Sequence, residues 1–141
     1  MKVKIKKLHP DAVIPVYAKP GDAGLDLTAI SESWNEDDSM VTYDTGLAVE
    51  IPEGHVGLLF PRSSVSKTRL NLANSVGVID SGYRGPVKSV FDIKDTSLVF
   101  YEKGDRFAQI IILPYPSIEF EEVEELTSTE RGEGGFGSSG N

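Results

Sequence analysis

No stretch of this chain keeps helical periodicity for about ten residues, and that limits the fold more than any single motif. Short apolar segments recur instead, each closed by glycine, proline or a polar cluster. They fall at residues 3–8, 24–28, 40–43, 46–51, 55–60, 76–79, 87–93, 98–101, 107–113 and 118–123. Pro20-Gly21-Asp22, Pro52-Glu53-Gly54, Lys94-Asp95-Thr96 and Lys103-Gly104-Asp105 supply turns between them. Ser81-Gly82, after the 76–79 segment, reads as the corner of a β-hairpin, with Gly82 free to take a positive φ. Residues 31–39 are polar and acidic apart from Trp34 and read as a loop; residues 61–69 read as a loop or one short helix. Many short strands with regular punctuation predict an all-β chain, a jelly-roll-like β-barrel.

The 141 residues suit one domain and one core. From residue 127 the strand pattern has stopped, and residues 131–141 are rich in glycine and serine. The expected division is therefore a β-domain over 1–126 and a flexible Gly-rich C-terminal tail over 127–141. A formal net charge of -8 argues against nucleic acid or an anionic membrane as partner. An anionic ligand would need locally gathered cations or a metal. The absence of cysteine excludes disulfides, thiolate zinc sites and a cysteine nucleophile, and fits an intracellular protein. The N-terminus alternates lysine with aliphatic residues, a strand pattern rather than a signal peptide, and no apolar run approaches the ~20 residues of a membrane span. The expectation is a soluble, cytoplasmic protein.

Several polar constellations stand out from this frame. Asp80 ends an apolar segment and is followed closely by Tyr83 and Arg84. Pro61-Arg62-Ser63-Ser64 places a guanidinium and hydroxyls at a strand end, as a phosphate loop or a capped turn would. Gly104-Asp105-Arg106-Phe107-Ala108-Gln109 opens the most apolar segment, with Gln109 an amide that needs partners wherever it is buried. Four of the five arginines lie in these stretches and the tail. The tail formally matches GxGxxG at residues 132–137, but it neither follows a strand nor opens a helix, so it is no dinucleotide fingerprint. It does set Phe136 among glycines between Arg131 and Ser138-Ser139, which suits a nucleotide as readily as a frayed end does. His9 and His55 have no partner at metal-ligand spacing and read as surface residues.

Together these stretches resemble the homotrimeric dUTPase family, the deoxyuridine triphosphate nucleotidohydrolases. Five motifs occur in the family's order: Ala23-Gly24-Leu25-Asp26-Leu27; Pro61-Arg62-Ser63-Ser64; Gly77-Val78-Ile79-Asp80 through Tyr83-Arg84-Gly85; Gly104-Asp105-Arg106-Phe107-Ala108-Gln109; and Arg131-Gly132 with Gly134-Gly135-Phe136-Gly137-Ser138-Ser139-Gly140. The departures are small. Ser64-Val65-Ser66 stands where members more often have Gly-Leu-Ala, Phe107 replaces an isoleucine, and Ser139 replaces a threonine.

The resemblance implies hydrolysis of dUTP to dUMP and pyrophosphate, which limits uracil incorporation into DNA and supplies dUMP for dTMP synthesis. It implies a homotrimer whose sites are shared between subunits. It assigns Asp80 to the attacking water and Tyr83 to the deoxyribose. Asn74, Gly77, Val78 and Ile79 would read uracil, Gly77 by close backbone approach. Arg62, Ser63, Ser64 and Gln109 would hold phosphates. Arg131, Phe136, Gly137 and Ser138 would close over the substrate. Asp26, Asp105 and Arg106 would support these groups. Mg²⁺ would be held mainly by the substrate's phosphates and water, with no dedicated protein ligands. Other readings that the residues leave open are a dCTP deaminase-related enzyme of the same fold, a nucleotide-sensing regulator with low turnover, and a purely structural jelly roll.

Overall fold

Alternation of buried and exposed positions is strongest in the middle of the chain, and there the strands form as expected. The structure, a computed structural model, describes residues 1–35, 37, 39–94 and 100–138. Among these residues ten strands run in the order β1 (Lys4–Lys7), β2 (Leu25–Thr28), β3 (Ser31–Asn35), β4 (Met40–Asp44), β5 (Leu47–Glu50), β6 (His55–Pro61), β7 (Leu70–Leu72), β8 (Gly77–Ile79), β9 (Lys88–Ile93) and β10 (Arg106–Pro114). A 3₁₀ turn, Ser63–Lys67, follows β6. β4 inserts Val41 and Tyr43 into the core, and β9 inserts Ser89 and Phe91. These are the alternate positions a strand with one buried face requires.

All pairings are antiparallel. Two four-stranded sheets, β2-β10-β6-β8 and β3-β4-β9-β7, enclose the core, and β1-β5 forms a third, two-stranded ladder. This is a jelly-roll-like arrangement, as the sequence predicts. Its centre is aromatic. Tyr43 lies against Phe107 at 5.2 Å between centroids, and Phe91 meets Tyr43 edge-on at 5.7 Å. Burial pushes the Tyr43 phenol far above its ordinary range, with the Tyr101 backbone pulling the other way. The β10–β2 register shifts between Arg106 and Ala108, and this bulge lets consecutive Phe107 and Ala108 both be fully buried.

Three expectations need correction. Residues 31–35 form a strand, not a loop. β3 is an edge strand paired only with β4, exposed throughout, so it had no apolar face to reveal it. Its Trp34 ring meets Phe100 edge-on at 4.9 Å. Residues 118–123 form no strand. Their apolar members are at least half exposed, and they join no ladder among the described residues. Ser81-Gly82 is a turn, closed by Tyr83 N–H donating to Asp80 O at 3.0 Å, but not a hairpin corner. β8 pairs with β6 alone, and among the described residues no strand returns beside it. Pro86 has no N–H to extend a ladder, and Val87 is drawn to the opposite sheet. Gly82 does not use a positive φ. The strand and turn expected across 95–99, together with Ser139 and Gly140, lie outside the described residues. Phe100 and Tyr101 are outside the ladders.

Candidate active site

The segment after β8 is fixed at both ends, which makes it a rigid platform. Asp80 O anchors the turn at its start. At its end, Val87 N–H donates to Leu47 O at 2.8 Å. The fully buried Thr45 donates to Val87 O through its hydroxyl, at 2.8 Å, and its backbone N–H. Before β8 the chain turns tightly, with Ser75 at φ 63° and Val76 N–H donating to Asn74 O at 2.6 Å. A serine held in the left-handed region is strain that the surroundings must enforce.

Between these two turns lies a cavity of about 490 Å³. Its wall includes Asn74, Gly77, Val78, Ile79, Asp80 and Tyr83, six of the sequence-predicted residues. Asp80 is exposed. The Tyr83 hydroxyl donates to Pro86 O at 2.9 Å, so the ring curls back over its own turn. A Cβ on Gly77 would stand 3.1 Å from the Cβ of Leu59, its cross-strand partner. Tight sheet packing is thus one reason for glycine here, independent of any ligand.

A second cavity, of about 310 Å³, gathers Asp26, Arg62, Ser63 and Gln109. Asp26 on β2 lies beside Gln109 of β10 in register. Its carboxylate accepts from Arg62 Nε at 2.8 Å and from Arg106 Nη1 at 2.9 Å, so one acid aligns two guanidiniums. Gln109 Nε2 donates to Pro61 O at 3.1 Å, which fixes the amide at the start of the phosphate-type loop. A Cβ on Gly24 would overlap that amide, a role for Gly24 that spacing alone did not reveal. The Ser64 hydroxyl instead pairs with the Tyr101 hydroxyl at 2.8 Å and does not line the cavity. Asp105 accepts from Glu102 N–H at 2.8 Å and closes the turn that leads into β10.

The two cavities share no lining residue: the first takes Leu59 from β6, and the second takes Arg62 and Ser63 from just beyond the strand's end. Ile79, at the end of β8, pairs with Gly57 near the start of β6, whereas Arg62 follows the strand's other end. None of the described tail residues, 127–138, lines either cavity. There Arg131 Nε donates to Gly134 O at 2.9 Å, and Phe136 is fully exposed at φ 52°. Among the described residues no helix is long and apolar enough to cross a membrane.

Comparison with known proteins agrees over nearly the whole length. The family model described as dUTPase matches residues 11–140. The deoxyuridine 5'-triphosphate nucleotidohydrolase of Escherichia phage T5 is 42% identical over 146 residues, covering 98% of this chain and 98% of that one. Its counterpart in Hydrogenobaculum sp. is 40% identical over 142 residues, covering 99% of each. Among solved structures, a mutant dUTPase of Staphylococcus bacteriophage 80alpha with dUpNHpp superposes with a TM-score of 0.86 at 34% identity, covering 99% of both chains. A mutant dUTPase of phage phi11, described for its structural Mg(II) ion, superposes at 0.76 with 28% identity, covering 89% of this chain and 98% of that one. On sequence and on fold alike, this chain belongs to the dUTPase family.

Proposed function

We propose that the chain hydrolyses dUTP to dUMP and pyrophosphate at a site completed only when copies assemble. The observation that carries the shared site is that Asp80 and Tyr83 line one cavity while Arg62, Ser63 and Gln109 line a second, with no residue in common. A water held at Asp80 must come within roughly 3–3.5 Å of the phosphorus it attacks. With the nucleoside groups and the phosphate groups in separate cavities, the phosphate-binding cavity of one copy serves the nucleoside cavity of another. A homotrimer satisfies this with three equivalent sites.

Each cavity has the chemistry its part needs. In the first, Asn74 and the backbone of Gly77, Val78 and Ile79 present amide donors and acceptors to uracil's edge. Cytosine would leave such groups unpaired, an effect worth about 10⁴-fold in sites built this way. Tyr83 flanks the deoxyribose. Asp80, exposed at the rim, orients the water and takes its proton as the water oxygen bonds to the α-phosphorus and the α–β bridging bond breaks to release pyrophosphate. In the second, Arg62, Ser63 and Gln109 hold the phosphates, Asp26 keeps Arg62 aligned with Arg106 beside it, and Asp105 holds the supporting turn. Ser64 supports that loop through Tyr101 rather than touching phosphate.

The tail, residues 127–141, supplies the closing segment. Phe136 covers the base, Arg131 reaches the γ-phosphate, and Gly137 and Ser138 let the backbone approach. Among the described residues no group of three or more His, Cys, Asp or Glu is placed to hold a metal alone. The proposed Mg²⁺ therefore binds to phosphate oxygens and water, where it neutralises charge on the substrate of an acidic chain. The phi11 neighbour's Mg(II) supports a divalent ion in this family. The proposed compartment is the cytoplasm, in keeping with a cysteine-free chain.

Mixing two inactive variants tests the shared site. Asp80→Asn and Arg62→Ala chains, unfolded together and refolded, should regain dUTPase activity, because some mixed assemblies carry sites with both residues intact. A mixture as dead as its parents would place both groups in one chain's site and refute the proposal.

A further inference from the structure

We propose that Gly85 is a specificity-determining position of this site: by lacking a side chain it seats the Tyr83 ring where that ring can reject a ribonucleotide. The inference rests on the reading of Tyr83 as the group beside the sugar. It adds a residue that has so far had no part in the site.

The geometry is local and specific. A Cβ on Gly85 would collide with the Tyr83 hydroxyl oxygen and with two carbons of the same ring edge. Three atoms of one rigid edge cannot step aside separately. Only rotation about χ1 and χ2 relieves the overlap, and that moves the whole ring. The hydroxyl is meanwhile tied to Pro86 O at 2.9 Å, so the ring spans Gly85 from its own backbone to the carbonyl beyond. Arg84 Nη1 donates to Ser81 O at 2.6 Å and to Tyr83 O at 3.0 Å and keeps the turn beneath it closed. With one side of its ring against Gly85, Tyr83 is still 44% exposed and lines the cavity wall.

Backbone conformation does not explain this glycine. Gly85 does not use a positive φ, the conformation that would demand glycine. Gly82, on the same turn, has no positive φ either, and a methyl group there would meet no atom within 4 Å. Of these two glycines three residues apart, only Gly85 has the Tyr83 ring against it.

Four variants of the full chain, Gly85→Ala, Gly82→Ala, Tyr83→Phe and Tyr83→Ala, together with the Gly85→Ala/Tyr83→Ala double variant, test this by kcat/KM for dUTP and for UTP. Misplacement of a positioning group by about 1 Å costs on the order of 100-fold. Gly85→Ala should lower the dUTP-over-UTP preference at least about tenfold on that scale, and Gly82→Ala should leave it at the wild-type value. Tyr83→Phe, which leaves the backbone untouched and removes only the Pro86 bond, should lower it by a smaller factor. Added to Tyr83→Ala, Gly85→Ala should change nothing further, because its effect acts through the ring. The Gly85 Hα shifts in an NMR spectrum report the ring's packing without any activity; they should move toward random-coil values in Tyr83→Ala. An unchanged preference in Gly85→Ala, or an additive loss in the double variant, overturns the proposal. A wild-type enzyme that hydrolyses dUTP and UTP equally, with the Hα shifts as expected, overturns the sugar-gating role of Tyr83 while leaving the packing intact.

Discussion

Replacing Asp26 by asparagine should weaken both the fold and the grip on phosphate. The carboxylate is 16% exposed and accepts from two guanidiniums, Arg62 at 2.8 Å and Arg106 at 2.9 Å. Hydrogen bonds to charged groups contribute about 1.5–3 kcal/mol each. The Arg106 bond belongs at the bottom of that range or below, because its side chain is 54% exposed and solvent screens it. Asparagine keeps one acceptor, removes the charge and turns an N–H₂ toward a cation. The net loss is about 2–4 kcal/mol, a sizeable part of the roughly 5–15 kcal/mol that holds a domain together. Urea unfolding at fixed protein concentration measures it as a lower midpoint at unchanged slope. Arg62, released from its partner, should also bind phosphate less well, so KM for dUTP should rise by more than kcat falls. A stability change under about 0.5 kcal/mol with an unchanged KM would refute the view that Asp26 aligns this loop.

Three other perturbations address different parts of the structure. Gly24→Ala puts a methyl group where the Gln109 amide lies; it should raise KM for dUTP, and wild-type kinetics would show that Gln109 does not need its present place. Thr45→Val keeps the shape but removes a fully buried hydroxyl that donates to Val87 O and accepts from Leu47 N–H at 3.2 Å. It should cost about 1–3 kcal/mol in denaturant unfolding, and a neutral effect would show that the platform under the site does not depend on it. Truncation before Arg131 removes a segment whose described residues line neither cavity. It should abolish most turnover while leaving the assembly's mass and melting intact, and full activity would remove the tail from the mechanism.

Legibility in the sequence followed burial. β4, β9 and β10 could be read because one face of each is packed on the core, so Val41, Tyr43, Phe91 and Ile110 recur with the strand period. β3 could not, since an edge strand exposed on both faces carries no such signal. Residues 118–123 show the opposite error: alternation marks the capacity to form a strand, but a ladder also needs an edge to pair with. At Ser81-Gly82 the turn was legible from its composition, whereas the missing return strand was decided by Pro86 and by the remote hold of Thr45 on Val87. The site residues could be named from motif order. Their division into two cavities could not, because it depends on which strands pair in the folded chain. The contacts of Gly24 and Gly85 were hidden for the same reason: each glycine is required by one side chain that only the folded chain brings against it.

Pyrophosphate release by the purified full chain with Mg²⁺, measured on dUTP, dCTP, dTTP and UTP for wild type and Asp80→Asn, tests the central claim most directly. Rapid release from dUTP, far slower release from the other three, and loss of nearly all turnover in Asp80→Asn with the affinity for dUpNHpp retained are the results predicted. Near-normal turnover by Asp80→Asn, or ammonia from dCTP in place of pyrophosphate from dUTP, would contradict it.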